Sequence, residues 1–447
     1  MIRDVFEYGP GIPRYLGMWV VLTPLVVVTL VRARVRAGAV VAVLVSTLPS
    51  LNRNPPSWFG FPLRWIVLTA SAAYLAGWLV ARVRAAPPTF SPNPPSEGGS
   101  ARKGRWLVAA LVALTLALRV PLAWWDPGIS QIGTSTERAT NQLLDGRNPY
   151  PLPNPDADFG TYQYPAGTLL AHTPLVWAVP DEVAGEEHIG LRATLWLTDA
   201  VATALLTTAV GPLAGFVYAV HPTLVRESGL TVANDVLLAL FVAAAAIALS
   251  RRRTLAAGVL AGVAVSIKPA AVLAVPVLLV AVGWLPALAS LAVPAVLQLP
   301  FLLWQSPGLH PFRGLLEPAT RNESLVVLRE STWYPLYRAV GHSNGVRSLV
   351  ALAGIAVAGV VALWAGRELR RRGTTLSRAA AALALPLFVS YALAGTPRTN
   401  YQDWYLTAFV IVVALDRRRG YDSRSSQATL PPNSSGSVSG ATEQAAT

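Results

Sequence analysis

Asp126 and Asp235 stand at the edges of apolar runs and Glu137 in the polar stretch that follows the first of them, and at each a carboxylate within reach of a hydroxyl could take its proton. Each also has a plainer reading. Asp126 precedes Pro127, a pairing that favours turns. Glu137 stands three positions after Thr134 in a capping-box pattern. Asp235 follows Asn234 at a span start, where helix capping would account for both. Lys268 separates two apolar runs, AGVLAGVAVSI and PAAVLAVPVLLVAV. An ionisable residue so placed marks a functional site by default; the alternative is a helix-end lysine that snorkels its ammonium to the surface. Arg329 heads the stretch RESTWYPLY, whose aromatic rings suit either stacking on a sugar or anchoring at a membrane interface.

The elements that must carry these groups are apolar. The chain has 447 residues, 53% hydrophobic and 13% charged, about half the charge of an ordinary soluble domain. Runs long enough to cross hydrocarbon recur at 15–31, 37–51, 63–81, 105–125, 166–180, 191–210, 234–250, 255–268, 270–284, 287–304, 346–366, 376–394 and 404–416. Alternation of sides is out of step between 166 and 233, and segment 212–226 is expected to be re-entrant or to lie along the surface. The expectation is an all-α polytopic membrane protein with two long polar loops, 126–165 and 305–345, on one side.

Net charge of +13 does not imply nucleic acid. The basic residues form short clusters between apolar runs, at 32–36, 82–84, 102–105, 251–253, 367–372 and 417–419, which is the positive-inside pattern of cytoplasmic loops. The polar loops then face the other side. No cysteine is present, which excludes disulfides and thiolate chemistry. The histidines 172, 188, 221, 310 and 342 lack metal-ligand spacing. A divalent metal ion, if one is used, would need Asp and Glu oxygens from the outer loops. No phosphate-binding loop of the G-x-x-x-x-G-K-[ST] kind occurs.

Residues 1–84 read as a three-span unit, 85–104 as a Pro- and Ser-rich cytoplasmic linker, 105–416 as the main body and 417–447 as a disordered tail. In the first outer loop a short helix is expected near Thr134–Leu143, with Ala139 and Leu143 on one face and Gly146 ending it.

Gly146-Arg147-Asn148-Pro149-Tyr150 and Tyr162-Gln163-Tyr164-Pro165 resemble segments of the bacterial polyprenol-phosphate-sugar-dependent glycosyltransferases of GT-C fold, the DUF2029 or alpha-(1→2) mannosyltransferase-like family. His221-Pro222 followed by Asn234-Asp235, and the run Ala257-Gly258 to Ile267-Lys268-Pro269, are similar to later segments of that family. The resemblance covers roughly residues 105–415 and implies a GT-C-like bundle of roughly 12–14 membrane helices. It also implies transfer of a sugar, mannose or another hexose or pentose, from a polyprenyl-phosphate donor to a lipid or glycan acceptor at the outer face of the cell membrane. On that reading Asp126, Glu137 and Asp235 are the candidate catalytic carboxylates. Lys268 would bind the donor phosphate, with His221, Asn234, Arg147, Tyr150, Tyr164 and Arg329 as further binding residues. One departure stands out: the position where relatives carry their catalytic aspartate is Gln131 or Ile132 here, and Asp126 is the nearest substitute. A transporter or flippase of lipid-linked substrates, or a non-catalytic relative, are the competing readings.

Overall fold

The computed structural model describes residues 16–51, 61–85, 100–125, 129–150, 162, 164–179, 188–304, 344–393 and 402–416, and among these it is helical, with no strand. The helices are α1 (Leu16–Arg32), α2 (Ala37–Leu51), α3 (Phe61–Arg84), α4 (Ser100–Arg119), α5 (Leu122–Trp125), α6 (Gln131–Leu144), α7 (Ala166–Ala178), α8 (Ile189–Ala209), α9 (Pro212–Val220) and α10 (Pro222–Arg226). After a π-helical turn at Glu227–Thr231 come α11 (Asp235–Ser250) and α12 (Thr254–Ile267). A 3-10 turn (Pro269–Leu273) then leads to α13 (Ala274–Val282), α14 (Trp284–Leu303), α15 (Asn344–Arg372), α16 (Leu376–Ala392) and α17 (Asp403–Leu415). Each apolar run read from the sequence is a helix. Residues 1–15, part of the first long loop, nearly all of the second and the tail lie outside the described residues.

The polarity is inverted relative to a water-soluble bundle. Val21, Trp106, Val296, Leu303, Leu352 and Val360 are each more than half exposed, whereas Arg119, Arg192, Asp199 and Asp235 are fully buried. Such an apolar periphery needs a non-aqueous partner. Four helices, Gly104–Trp124, Ile189–Ala209, Trp284–Leu303 and Leu352–Arg372, are long and apolar enough to cross a membrane.

The helices run between two ends of the bundle. Trp404 donates to Asp235, so α11 and α17 start together, and they pack side by side. They finish at Arg251 and Asp416, roughly 20 Å away at about 1.5 Å per residue. Asp416 there meets Arg82 at 2.8 Å and Arg36 at 3.5 Å, and Arg372 donates to the Arg84 carbonyl at 2.8 Å. The arginine clusters at 32–36, 82–84, 251–253 and 370–372 therefore gather at one end, and Asp235 lies at the other. These contacts also bind α1–α3 to the main body, and the buried cores of the two are continuous.

The segment out of step with alternation is not the expected one. Helix α7 has both ends on the Asp235 side. Gly167 abuts Ser266 at the end of α12, and Val176 lies against Gly190 at the start of α8. With only 13 residues, α7 belongs to the length class of interfacial or buried segments. Segment 212–226, expected to be re-entrant or to lie along the surface, instead climbs alongside α8 as α9 and α10, interrupted at His221, and the π turn continues it to the other end.

Helices α12 and α14 meet through glycines. A Cβ on Gly258 would come within 2.3 Å of the Pro286 carbonyl oxygen, and one on Gly262 within 2.8 Å of the Val293 Cβ. This small-x-x-x-small seam gives the A-G-x-L-x-G run a packing reason independent of catalysis. Gly258→Val should push the two helices apart and cost about 1–3 kcal/mol. A drop in the thermal midpoint of the detergent-purified protein checks it; an unchanged midpoint would contradict the seam.

Candidate functional site: a buried ion pair where helices break

Lys268 is where α12 ends. Pro269 cannot continue the helix and pushes its predecessor out of the α region, and Lys268 accordingly sits extended at φ −149°, ψ 128°. Its ammonium donates to Oδ1 of Asp235, the first residue of α11. The indole N–H of Trp404 donates to the same oxygen. The ammonium also lies 5.5 Å from the centroid of the Trp404 ring and 5.7 Å from that of Tyr164, within cation–π range. Asp235 is fully buried and Lys268 nearly so. The snorkelling reading fails, because the ammonium points to a carboxylate between two aromatic faces.

Tyr164 is held in place from two directions. Thr168 donates to the Ile267 carbonyl at 2.7 Å, tying the start of α7 to the end of α12. Tyr150 donates through its hydroxyl to the Tyr164 carbonyl at 2.9 Å. Asn148 spreads its amide over the carbonyls of Phe301 at 2.8 Å and Trp304 at 2.7 Å and accepts from the Tyr150 N–H at 3.1 Å. The Gly-Arg-Asn-Pro-Tyr segment thus fastens the outer loop to the end of α14. Tyr150 acts through Tyr164, and burial pushes its hydroxyl well above the usual range, so it stays a neutral donor.

Asn234 does not cap α11, although the sequence permitted it. Its side chain makes no cap bond; its amide N–H donates to the Thr136 hydroxyl at 2.9 Å and its Oδ1 pairs with His172 at 3.0 Å. Just before it, Val232 sits at φ 50°, ψ 54° with its N–H on the Glu227 carbonyl. A β-branched residue in the left-handed region is strained, and strain of this kind gathers at functional sites.

The remaining expectations divide. Helix α6 exists and Gly146 ends it at φ 73°, with Ala139 buried and Leu143 packed against the Tyr150–Tyr162 cluster. Its cap is Ser130, which accepts from the Gly133 N–H, and not Thr134. Glu137, freed from that box, meets His188 at 2.7 Å. Arg147 is exposed and pairs with Asp145 at 2.8 Å, away from Lys268. His221 is fully buried at the α9–α10 break, 3.4 Å from Ser46 of α2. Asp126 and Arg329 lie outside the described residues.

One group went unread in the sequence. Arg119 donates from Nε to Asp199 and to Ser228 at 3.0 Å, and from Nη1 to the carbonyls of Ala219 at 2.9 Å and Thr115 at 3.3 Å; Tyr218 also donates to Asp199. Asp199 in the run LWLTDAVATALL was the available signal. Asp403, by contrast, stands out in the sequence as an acid within the aromatic stretch NYQDWYL, and is considered below. Among the described residues no cluster of three His, Asp or Glu is placed to hold a metal ion.

Fold and site define a class: an all-helical bundle with an apolar periphery, helices able to span a membrane, and a buried charge pair at one end. No protein-family model, curated protein or solved structure matches this chain.

Proposed function

We propose that the chain is a multi-pass glycosyltransferase of the cell membrane, moving a sugar from a polyprenyl-phosphate donor to a hydroxyl of a lipid or glycan acceptor on the non-cytoplasmic side. One observation carries the reading: the Asp235–Lys268 pair, flanked by Trp404 and Tyr164, is buried at the end of the bundle opposite the arginine clusters. Arginine-rich ends belong in the cytoplasm, so the pair belongs near the opposite leaflet. An ammonium already oriented by a carboxylate and two rings can exchange that carboxylate for a phosphate and stabilise the charge that develops as polyprenyl phosphate leaves. The aromatic faces suit a sugar ring. The ordered family-like segments point the same way, and three of them, at Asn148–Tyr164, Asn234–Asp235 and Lys268, meet at this place.

The test is transfer itself. Membranes carrying the protein are supplied with labelled polyprenyl-phosphoryl mannose, with hexose and pentose analogues in parallel, and an acceptor mixture. Label should appear in a lipid or glycan product. No transfer from any donor would sink the reading.

The breaks at His221 and Lys268 favour a second reading, a transporter of lipid-linked substrates, since interrupted helices near a buried charge are also how transporters build sites. Movement of intact donor across proteoliposomes, without sugar transfer, would select it.

Sidedness is separately testable because the chain has no native cysteine. Single cysteines at Arg147 and Arg252 should react with an impermeant maleimide from opposite sides of the membrane. Reaction from one side would overturn the topology.

A further inference from the structure

Four carboxylates lie buried around the site, and three have a cation: Asp235 has Lys268, Asp199 has Arg119, and Glu227 has Arg226 at 3.0 Å. The fourth is Asp403, the first residue of α17 and the neighbour of Trp404. It is fully buried, and neither of its oxygens has a hydrogen-bond partner. It stands within electrostatic reach of Glu227, Asp235, Asp199 and Lys268. A buried polar group left without a partner is costly and calls for an explanation.

Asp235 is badly placed to be a proton acceptor, because Lys268 and Trp404 both donate to its Oδ1. Glu137 is occupied by His188. Asp403 is uncommitted, one residue from the indole that frames the Lys268 site, so a donor sugar on Lys268 would bring its reacting carbon into this neighbourhood. We propose that Asp403 is the catalytic base, receiving the proton of the attacking acceptor hydroxyl. The proposal rests on the transferase reading above. As the acceptor oxygen bonds to the anomeric carbon, its O–H bond breaks and the proton passes to the Asp403 carboxylate. The bond from that carbon to the phosphate oxygen breaks, and its electron pair leaves with polyprenyl phosphate beside Lys268. Asp403 returns the proton to solvent once the product departs.

The test uses the full chain in proteoliposomes with farnesyl-phosphoryl mannose as donor probe. Asp403→Asn keeps the shape and removes the base. It should lower kcat by ~10²-fold or more, with binding of the probe within about twofold of wild type. Asp403→Glu should retain measurable transfer. Wild type should lose kcat/KM on acidification as the base takes up a proton, and the acid limb should vanish from the residual rate of the asparagine variant. A structural role would lower binding, kcat and thermal midpoint together and leave the limb in place. Transfer by Asp403→Asn at more than a tenth of the wild-type rate overturns the assignment while leaving the transferase reading intact; absence of transfer in wild type overturns both.

Discussion

Lys268→Met should abolish sugar transfer and cost about 3–5 kcal/mol of stability, the usual effect of removing one partner from a buried ion pair. The carboxylate of Asp235 would remain in the interior without the ammonium, with the Trp404 indole still donating to Oδ1. Taking away both charges removes that penalty, so the double variant Lys268→Met with Asp235→Leu should recover most of the lost stability. The two readouts then separate. Thermal midpoints in detergent should return toward wild type in the double variant, while donor binding and transfer should stay lost, because no ammonium remains for the phosphate. A double variant that regains transfer would show the pair to be a structural tie and nothing more. Trp404→Phe offers a finer measurement. It keeps an aromatic face near the ammonium and removes the hydrogen bond to Asp235, so donor binding should weaken by about tenfold or more, in line with ~1.5–3 kcal/mol for one lost hydrogen bond to a charged group.

These predictions join residues that the sequence keeps 33 and 169 positions apart, and that separation explains what was readable. The helices were legible because hydrocarbon thickness imposes a run length on them; runs at 234–250 and 255–268 became α11 and α12 within one residue at each end. Lys268 was legible for a similar reason, as a charge interrupting apolar text. Its partner was not, because which carboxylate meets a lysine depends on how α11, α12 and α17 pack. The run 166–180 read as a crossing because nothing in its length or composition separates it from the 404–416 run, whose helix is also 13 residues long; only its neighbours show both ends of α7 on the Asp235 side. Asp403 was legible as an acid among the aromatics of NYQDWYL but not as a group of its own kind, because the burial of both carboxylate oxygens without partners depends on packing. Arg119 lies inside the run 105–125 as read from the sequence, and only the structure ends α4 there, with the guanidinium on Asp199 in the middle of α8.

That arginine supports the second large effect. Arg119→Met should destabilise the protein by about 3–5 kcal/mol, again by stranding a buried carboxylate, here Asp199. Lysine should rescue little. The guanidinium serves Asp199 and Ser228 from one nitrogen and the carbonyls of Thr115 and Ala219 from another, and an ammonium cannot reproduce that fork. The contacts also fix where the damage appears. Ala219 lies two residues before the His221 break, and Ser228 lies in the π turn that leads to Val232 and Asn234. Arg119 therefore clamps both flanks of the interrupted segment that delivers Asp235 to Lys268. Below the temperature of global unfolding, amide hydrogen exchange in Arg119→Met should accelerate first across 219–234, while α14 and α15 stay protected. Asp199→Asn, which keeps one acceptor oxygen for Arg119 and turns the other position into an amide donor that the Tyr218 hydroxyl can accept from, should cost less and leave that segment closer to wild-type protection. Uniform acceleration along the chain would mean that Arg119 stabilises the bundle as a whole. Acceleration confined to 219–234, accompanied by slower transfer at unchanged global stability in a milder variant such as Ser228→Ala, would tie the strained approach to Asn234 directly to the geometry of the Asp235–Lys268 pair.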